Sequence, residues 1–240
     1  MATSGSSQGE SYLSALFEFG CRARGADTVF GCPTVVAGDN RATMPHYDAN
    51  YLDISNGGLV IISGSPRYSG YCARVGRTWP VGTGKFSTAQ AEIYSIVLFI
   101  QNGIIEMLNN QPYSLDELYV FMVLSISQKL FELGFFKGMK RDEVLREVRR
   151  LSPQFVGHHI GLDLHDTLDM PTSKKLRPGM VINTLPGLYI PEDDRYPEQY
   201  HNIGVRIEDT IKITKDGAEV LTNLAPREID EIEQIFNMDP

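Results

Sequence analysis

The sequence predicts an α+β fold in which helices cover one face of a curved antiparallel sheet. Three observations carry that reading. β-Branched, apolar stretches bounded by Gly, Pro and Asn occur early (DTVFGCPTVVAG, GGLVIISG) and again late (GMVINTLPGLYI, GVRIEDTIKIT). Between them, two long segments carry apolar residues at three-and-four spacing. A length of 240 residues with 42% hydrophobic and 22% charged side chains suits one compact core.

In chain order, residues 1–10, MATSGSSQGE, are small and polar and read as a flexible tail before one domain over 11–240. From Glu10 to about Arg24, Leu13, Leu16, Phe17 and Ala23 recur at helical spacing, and Gly25 follows as a stop. GYCARVGRTWPVG is placed to pair with GGLVIISG as a hairpin. The segments from Thr88 to Asn109 and from Ser114 to Leu133 form a helical pair around the breaker NNQPYS, and Arg141 to Arg150 adds a shorter charged helix. After Pro153 come short strands: QFVGHHIGLD, GMVINTLPGLYI, GVRIEDTIKIT and AEVLTN. A last amphipathic helix runs from about Pro226 to Phe236, with Ile229, Ile232 and Ile235 on one face.

Lys and Arg total 22 against 30 Asp and Glu, a formal charge of -8, so nucleic acid is excluded as a general partner. The three cysteines, Cys21, Cys32 and Cys72, form no CxxC pair, and an odd number fits reduced thiols. No apolar run approaches a membrane span, and the opening residues lack the pattern of a signal or transit peptide. The expectation is a cytoplasmic or nuclear protein without a membrane partner.

The most specific stretches are VGHHIGLDLHDTLDMP at 156–171, LRPGMVINTLPGLYIPEDD at 176–194 and NIGVRIEDTIKIT at 202–214. In order, wording and spacing they resemble the aminopeptidase P branch of the creatinase and methionine aminopeptidase superfamily, nearest to the Xaa-Pro aminopeptidase 3 type. FEFGCRARGADTVFGCPTVVAGDNRATMPHY and GRTWPVGTGKFSTAQAEIY extend the likeness over nearly the whole chain from about Ser11. The resemblance implies the pita-bread fold and Xaa-Pro peptidase chemistry. It also implies a preceding creatinase-type N-terminal domain, which is absent from these residues.

Active members of that family hold two divalent metals such as Mn with two Asp, one His and two Glu, because bridged hard cations need several anionic oxygens. Carried over onto this sequence, the two Asp positions fall on Ser63 and Arg74, and the Glu of the EPG motif falls on Leu185 in TLPG. His158 in VGHHIG and Glu208 in VRIED match the remaining ligands. Arg74 places a fixed positive charge where a metal should sit. The expected cofactor is therefore none, with His158 and Glu208 left as weak ligands at most. His46 in MPHY, His165 in LHD and Arg206 match other pocket positions of the family, whereas a further family histidine is Phe155 here.

An isolated histidine between apolar residues is ordinarily a hydrogen-bonded core group, and only the motif moves His158 into a pocket. Glu208, in a half-buried run, needs a cation partner, and Arg74 is the one expected. Asp163, Asp166 and the acidic PEDD at 191–194 read as loop residues, and Trp79 and Pro80 as hairpin structure. The leading functional expectation is a noncatalytic family member, a pseudoenzyme, whose pocket binds a peptide or protein partner. Metal-free pita-bread domains in histone chaperones and ribosome-associated factors are the precedent that the resemblance supplies. The alternative is an enzyme with residual Xaa-Pro activity, or with metal-independent acid–base chemistry by His46, His158, His165 and Glu208, for which creatinase is the precedent. Oligomeric state is left open, a homodimer being one outcome.

Overall fold

The computed structural model describes residues 9–28 and 30–237. Helix α1 (Glu10–Arg22) leads into β1 (Cys32–Gly38) and a 3-10 turn, followed by β2 (Leu59–Ser65), the two-residue strands β3 (Arg67–Tyr68) and β4 (Tyr71–Cys72), and β5 (Val75–Pro80). Then come the helices α2 (Thr88–Asn110), α3 (Leu115–Glu132) and α4 (Arg141–Leu151). The second half contributes β6 (Gly157–His159), β7 (Val181–Thr184), β8 (Gly187–Ile190), β9 (Ile203–Arg206), β10 (Asp209–Ile213), β11 (Ala218–Val220) and α5 (Ile229–Asn237).

The long helices start where capping chemistry tells them to. Ser87 and Ser114 each accept a bond from the third helical residue, and the Gln90 and Glu117 side-chain oxygens in turn accept one from the cap N–H. Ile93, Val97, Ile100 and Ile104 of α2 then lie in the same core cluster as Ile182, Leu188, Val205 and Ile211 of the strands. Burial of this size is worth about 1.5–3 kcal/mol per large aliphatic side chain and fixes which face of the sheet the helices cover. α2 is also long and apolar enough to cross a membrane by length and composition. The expectation of no apolar run of that length is corrected accordingly; fully buried Gln101, bonded to Thr184 and Asp209, ties the helix to the sheet instead.

All strand pairs are antiparallel. β1, β2 and β5 form one sheet, β11, β10, β7 and β6 a second, and β8 with β9 a separate ribbon. The late strands are shorter than their sequence runs suggest. Residues 181–190 break at Leu185 and Pro186 into β7 and β8, and 203–213 break at Ile207 and Glu208 into β9 and β10. At that break the chain changes partners: the Ile207 amide bonds to Pro186, and Glu208 exchanges backbone bonds with Gly76. The bend thereby links the two larger sheets and carries Glu208 between them.

Three further expectations change. Glu10 belongs to α1 and is fully buried, so the tail boundary at residue 10 is too late; residues 1–8 lie outside the described residues. QFVGHHIGLD is strand only over β6, because Ile160 onward turns into a loop. On α5, Ile235 is exposed, while Ile229, Ile232 and Phe236 pack against the core, since a spacing of three then four follows one helical face better than three then three.

Candidate functional site

Glu208 is the centre of the site. Its carboxylate has no solvent exposure and receives Arg74 Nε at 2.9 Å, Ser63 Oγ at 2.6 Å and Arg206 Nη1 at 3.1 Å. Ser63 arrives from the middle of β2, where it pairs with Gly76 of β5 and Val35 of β1. Arg74 stands just before β5, its backbone held on both sides by Thr210 Oγ1 at 2.9 and 2.8 Å. Gly76 is required for this approach: a Cβ there would meet Glu208 side-chain atoms at 2.8 Å. The ion pair expected between Arg74 and Glu208 is present.

Burial alone would push the Glu208 carboxyl up. The adjoining Arg74 and Arg206 charges, with the hydrogen bonds from Arg74 and Ser63, instead hold it well below the usual carboxylate range. Arg74 also donates through Nη2 to Ser63 Oγ at 3.2 Å and through Nη1 to Cys32 Sγ at 3.4 Å. Burial raises the Cys32 thiol, so it sits there as a neutral acceptor.

His158, on β6, stacks edge-on against His165 with ring centroids 4.3 Å apart. Desolvation takes His158 down to about 4, and His165 is lowered by burial and by the Arg74 charge. Both rings are neutral near pH 7. His158 Nδ1 lies 2.9 Å from the His159 carbonyl, an arrangement in which a neutral ring keeps its proton on Nδ1 and presents Nε2 as an acceptor. Fully buried Arg206 donates through Nη2 to the Pro45 carbonyl at 3.2 Å, which places exposed His46 beside it at the rim. Leu185 follows β7, its amide bonded to Val156. Phe155 stacks on Tyr119 with ring centroids 4.8 Å apart.

The structure thus brings Ser63, Arg74, His158, His165, Arg206 and Glu208 together. Asp166 caps its own loop through Leu162 and Thr167 amides, and Asp193 pairs with Arg150 and Arg195. The sequence reading missed Cys32 and Asn183. Cys32 gave no signal, whereas an Asn in the middle of an apolar strand was one, because that residue is depleted there. A cleft of about 710 Å³ lies elsewhere, between the start of α2 and the end of α3 around Phe86, Phe99 and Leu133.

Residues 3–215 match the model of metallopeptidase family M24, and the chain belongs to that family. Within it, the chain is 44% identical over 236 residues to Xaa-Pro aminopeptidase 3 of Homo sapiens, covering 98% of this chain and 46% of that protein. Intermediate cleaving peptidase 55, mitochondrial, of Arabidopsis thaliana is 36% identical, covering 95% and 44%. The chain spans about half the length of these relatives. Zinc-substituted E. coli aminopeptidase P in complex with product superposes with a TM-score of 0.88 at 34% identity, covering 98% of this chain and 54% of that one. Icp55 from Saccharomyces cerevisiae gives 0.88 at 32%, covering 95% and 56%. The pita-bread architecture is thereby shown.

One expectation is corrected by these likenesses. A cofactor of none is overturned, because the family is one of metallopeptidases and a solved relative carries zinc. How well this chain's own donors fit a metal pair is a question of chemistry at Glu208. Of the five ligand positions that the resemblance gives, three hold a hydroxyl, a guanidinium and an aliphatic chain. Among the described residues no group of three or more His, Cys, Asp or Glu converges in a way that could hold a metal ion. This donor set does not fit two bridged dications.

Proposed function

We propose that this chain is a noncatalytic aminopeptidase P-like protein that binds a peptide or protein partner through the pocket around Glu208. One observation carries the reading: both Glu208 oxygens are taken up by guanidinium groups, Arg74 at 2.9 Å and Arg206 at 3.1 Å. Held between two guanidiniums, with Ser63 Oγ as a further donor, the carboxylate has most of its acceptor positions filled and is a poor metal ligand or base. The rim retains His46 and His165 as exposed polar groups beside it, a lining suited to a peptide backbone.

The test is release of the N-terminal residue from Xaa-Pro peptides in the presence of Mn2+ or Zn2+. The expected result is no turnover by the native chain. A Ser63→Asp, Arg74→Asp, Leu185→Glu variant, which returns the three carboxylates, is expected to acquire metal-dependent hydrolysis. Turnover by the native chain overturns the proposal.

A second reading draws on the histidine pair: His158, with its lone pair free and its ring neutral, has the form of a general base. It requires turnover that persists in chelator and disappears in His165→Ala. The names of the relatives, all peptidases, favour testing it alongside.

A further inference from the structure

We propose that the pocket beside Arg74 is a carboxylate-binding site and that it takes the carboxylate of a peptide. This rests on the reading of the chain as a peptide-binding protein and names what its pocket recognises. The first argument is charge. Two guanidiniums, Arg74 and Arg206, face one carboxylate, Glu208. One positive charge is left over, and a guanidinium cannot lose its proton to remove it. A site of that sign repels the ammonium group of a peptide and attracts an anion of single charge.

The second argument is donors. Arg74 has five N–H groups, of which one each from Nε, Nη1 and Nη2 is engaged by Glu208, Cys32 and Ser63. One N–H on each terminal nitrogen remains. The Arg74 side chain is 13% exposed, so a ligand can reach it.

The third is Asn183, which has no exposure at all and whose carboxamide oxygen and nitrogen both lack a hydrogen-bond partner. Leaving both unmade is unfavourable, and buried polar groups are nearly always satisfied. Register decides where the side chain points. His158, Asn183 and Thr210 are directly paired across β6, β7 and β10, so the three share one face. Thr210 is the residue that holds the Arg74 backbone, and neighbouring Thr184 faces the opposite way, onto Gln101 of α2. Asn183 therefore brings an unused donor to the face on which Arg74 sits. A planar monoanion with two acceptor oxygens matches a guanidinium edge and an amide; a phosphate dianion would leave a charge unpaired.

The experiment is calorimetric titration of the chain with four probes: a short N-acetylated peptide ending in a free carboxylate, the same peptide as its C-terminal amide, acetate, and inorganic phosphate. The free acid is expected to bind at least tenfold more tightly than the amide and to weaken as salt rises. Arg74→Gln is expected to lose at least tenfold in affinity. Asn183→Leu is expected to lose affinity while its Tm stays level or rises, because an unpaired amide is replaced by an apolar side chain of similar size; this separates loss of a ligand contact from loss of the fold. Equal binding of acid and amide overturns the carboxylate site and leaves the peptide reading standing. Acetate binding as tightly as the peptide supports the carboxylate site and overturns the peptide as its source. Phosphate binding most tightly overturns the proposal, and no binding by any probe overturns it together with the function on which it rests.

Discussion

Glu208 can sit between two sheets only because residue 76 has no side chain, and that makes Gly76 a sharp point of failure. In Gly76→Ala the new methyl group would meet Glu208 Cγ, Cδ and Oε2 at 2.8 Å, while Arg74, Arg206 and Ser63 hold the carboxylate in place. The expected loss is about 1–3 kcal/mol, the usual effect of overpacking. Urea denaturation measures it, and an unchanged midpoint would show that the clamp is loose. His158 gives a prediction in pH. Its folded value is depressed from 6.5 to about 4, so the stability it contributes is complete above 6.5 and is lost as pH falls through 4. Melting temperature should decline across that window in the native chain and decline less in His158→Gln; identical profiles would remove His158 from the account.

At the scale of elements, α1 is anchored by its first residue. Glu10 accepts bonds from Tyr47 Oη at 2.5 Å, Arg41 Nε at 2.7 Å and the Gly38 and Leu52 amides at 3.0 Å each. Burial works against its ionised form, yet these bonds outweigh it and the carboxyl stays below its ordinary range. Glu10→Ala leaves Arg41 and Tyr47 without their acceptor and is expected to cost about 3–5 kcal/mol, the range for removing one partner of a buried pair. A loss under about 1 kcal/mol in chemical denaturation would contradict this, since that is the range for an exposed pair. α2 depends on packing instead. Ile100→Ala, at a position with no exposure, is expected to cost about 2–5 kcal/mol, whereas Ser114→Ala at the start of α3 removes only a cap and should cost about 1 kcal/mol. Circular dichroism melts of the two variants give the ranking directly.

For the whole molecule, most elements could be read from local pattern. Helical periodicity on either side of the breaker NNQPYS placed α2 and α3 to within a residue or two, and β-branched apolar runs bounded by Gly, Pro and Asn placed β1, β2 and β5. The five family positions are assigned by the resemblance alone, from motif order and spacing along the chain. What local pattern missed came from partners distant in sequence. The late strands break where Ile207 and Glu208 exchange one neighbouring strand for another, and no periodicity records such an exchange. Cys32 reaches Arg74 across 42 residues, and Asn183 becomes a group without a partner only once His158 and Thr210 lie on either side of it. The amino-acid sequence by itself determined the family and the layers, since those are properties of residues in order. Only the tertiary structure decided that Arg74 turns inward to Glu208, because the energy of a buried charge depends on which opposite charge lies within a few ångströms of it, and chain folding alone sets that distance.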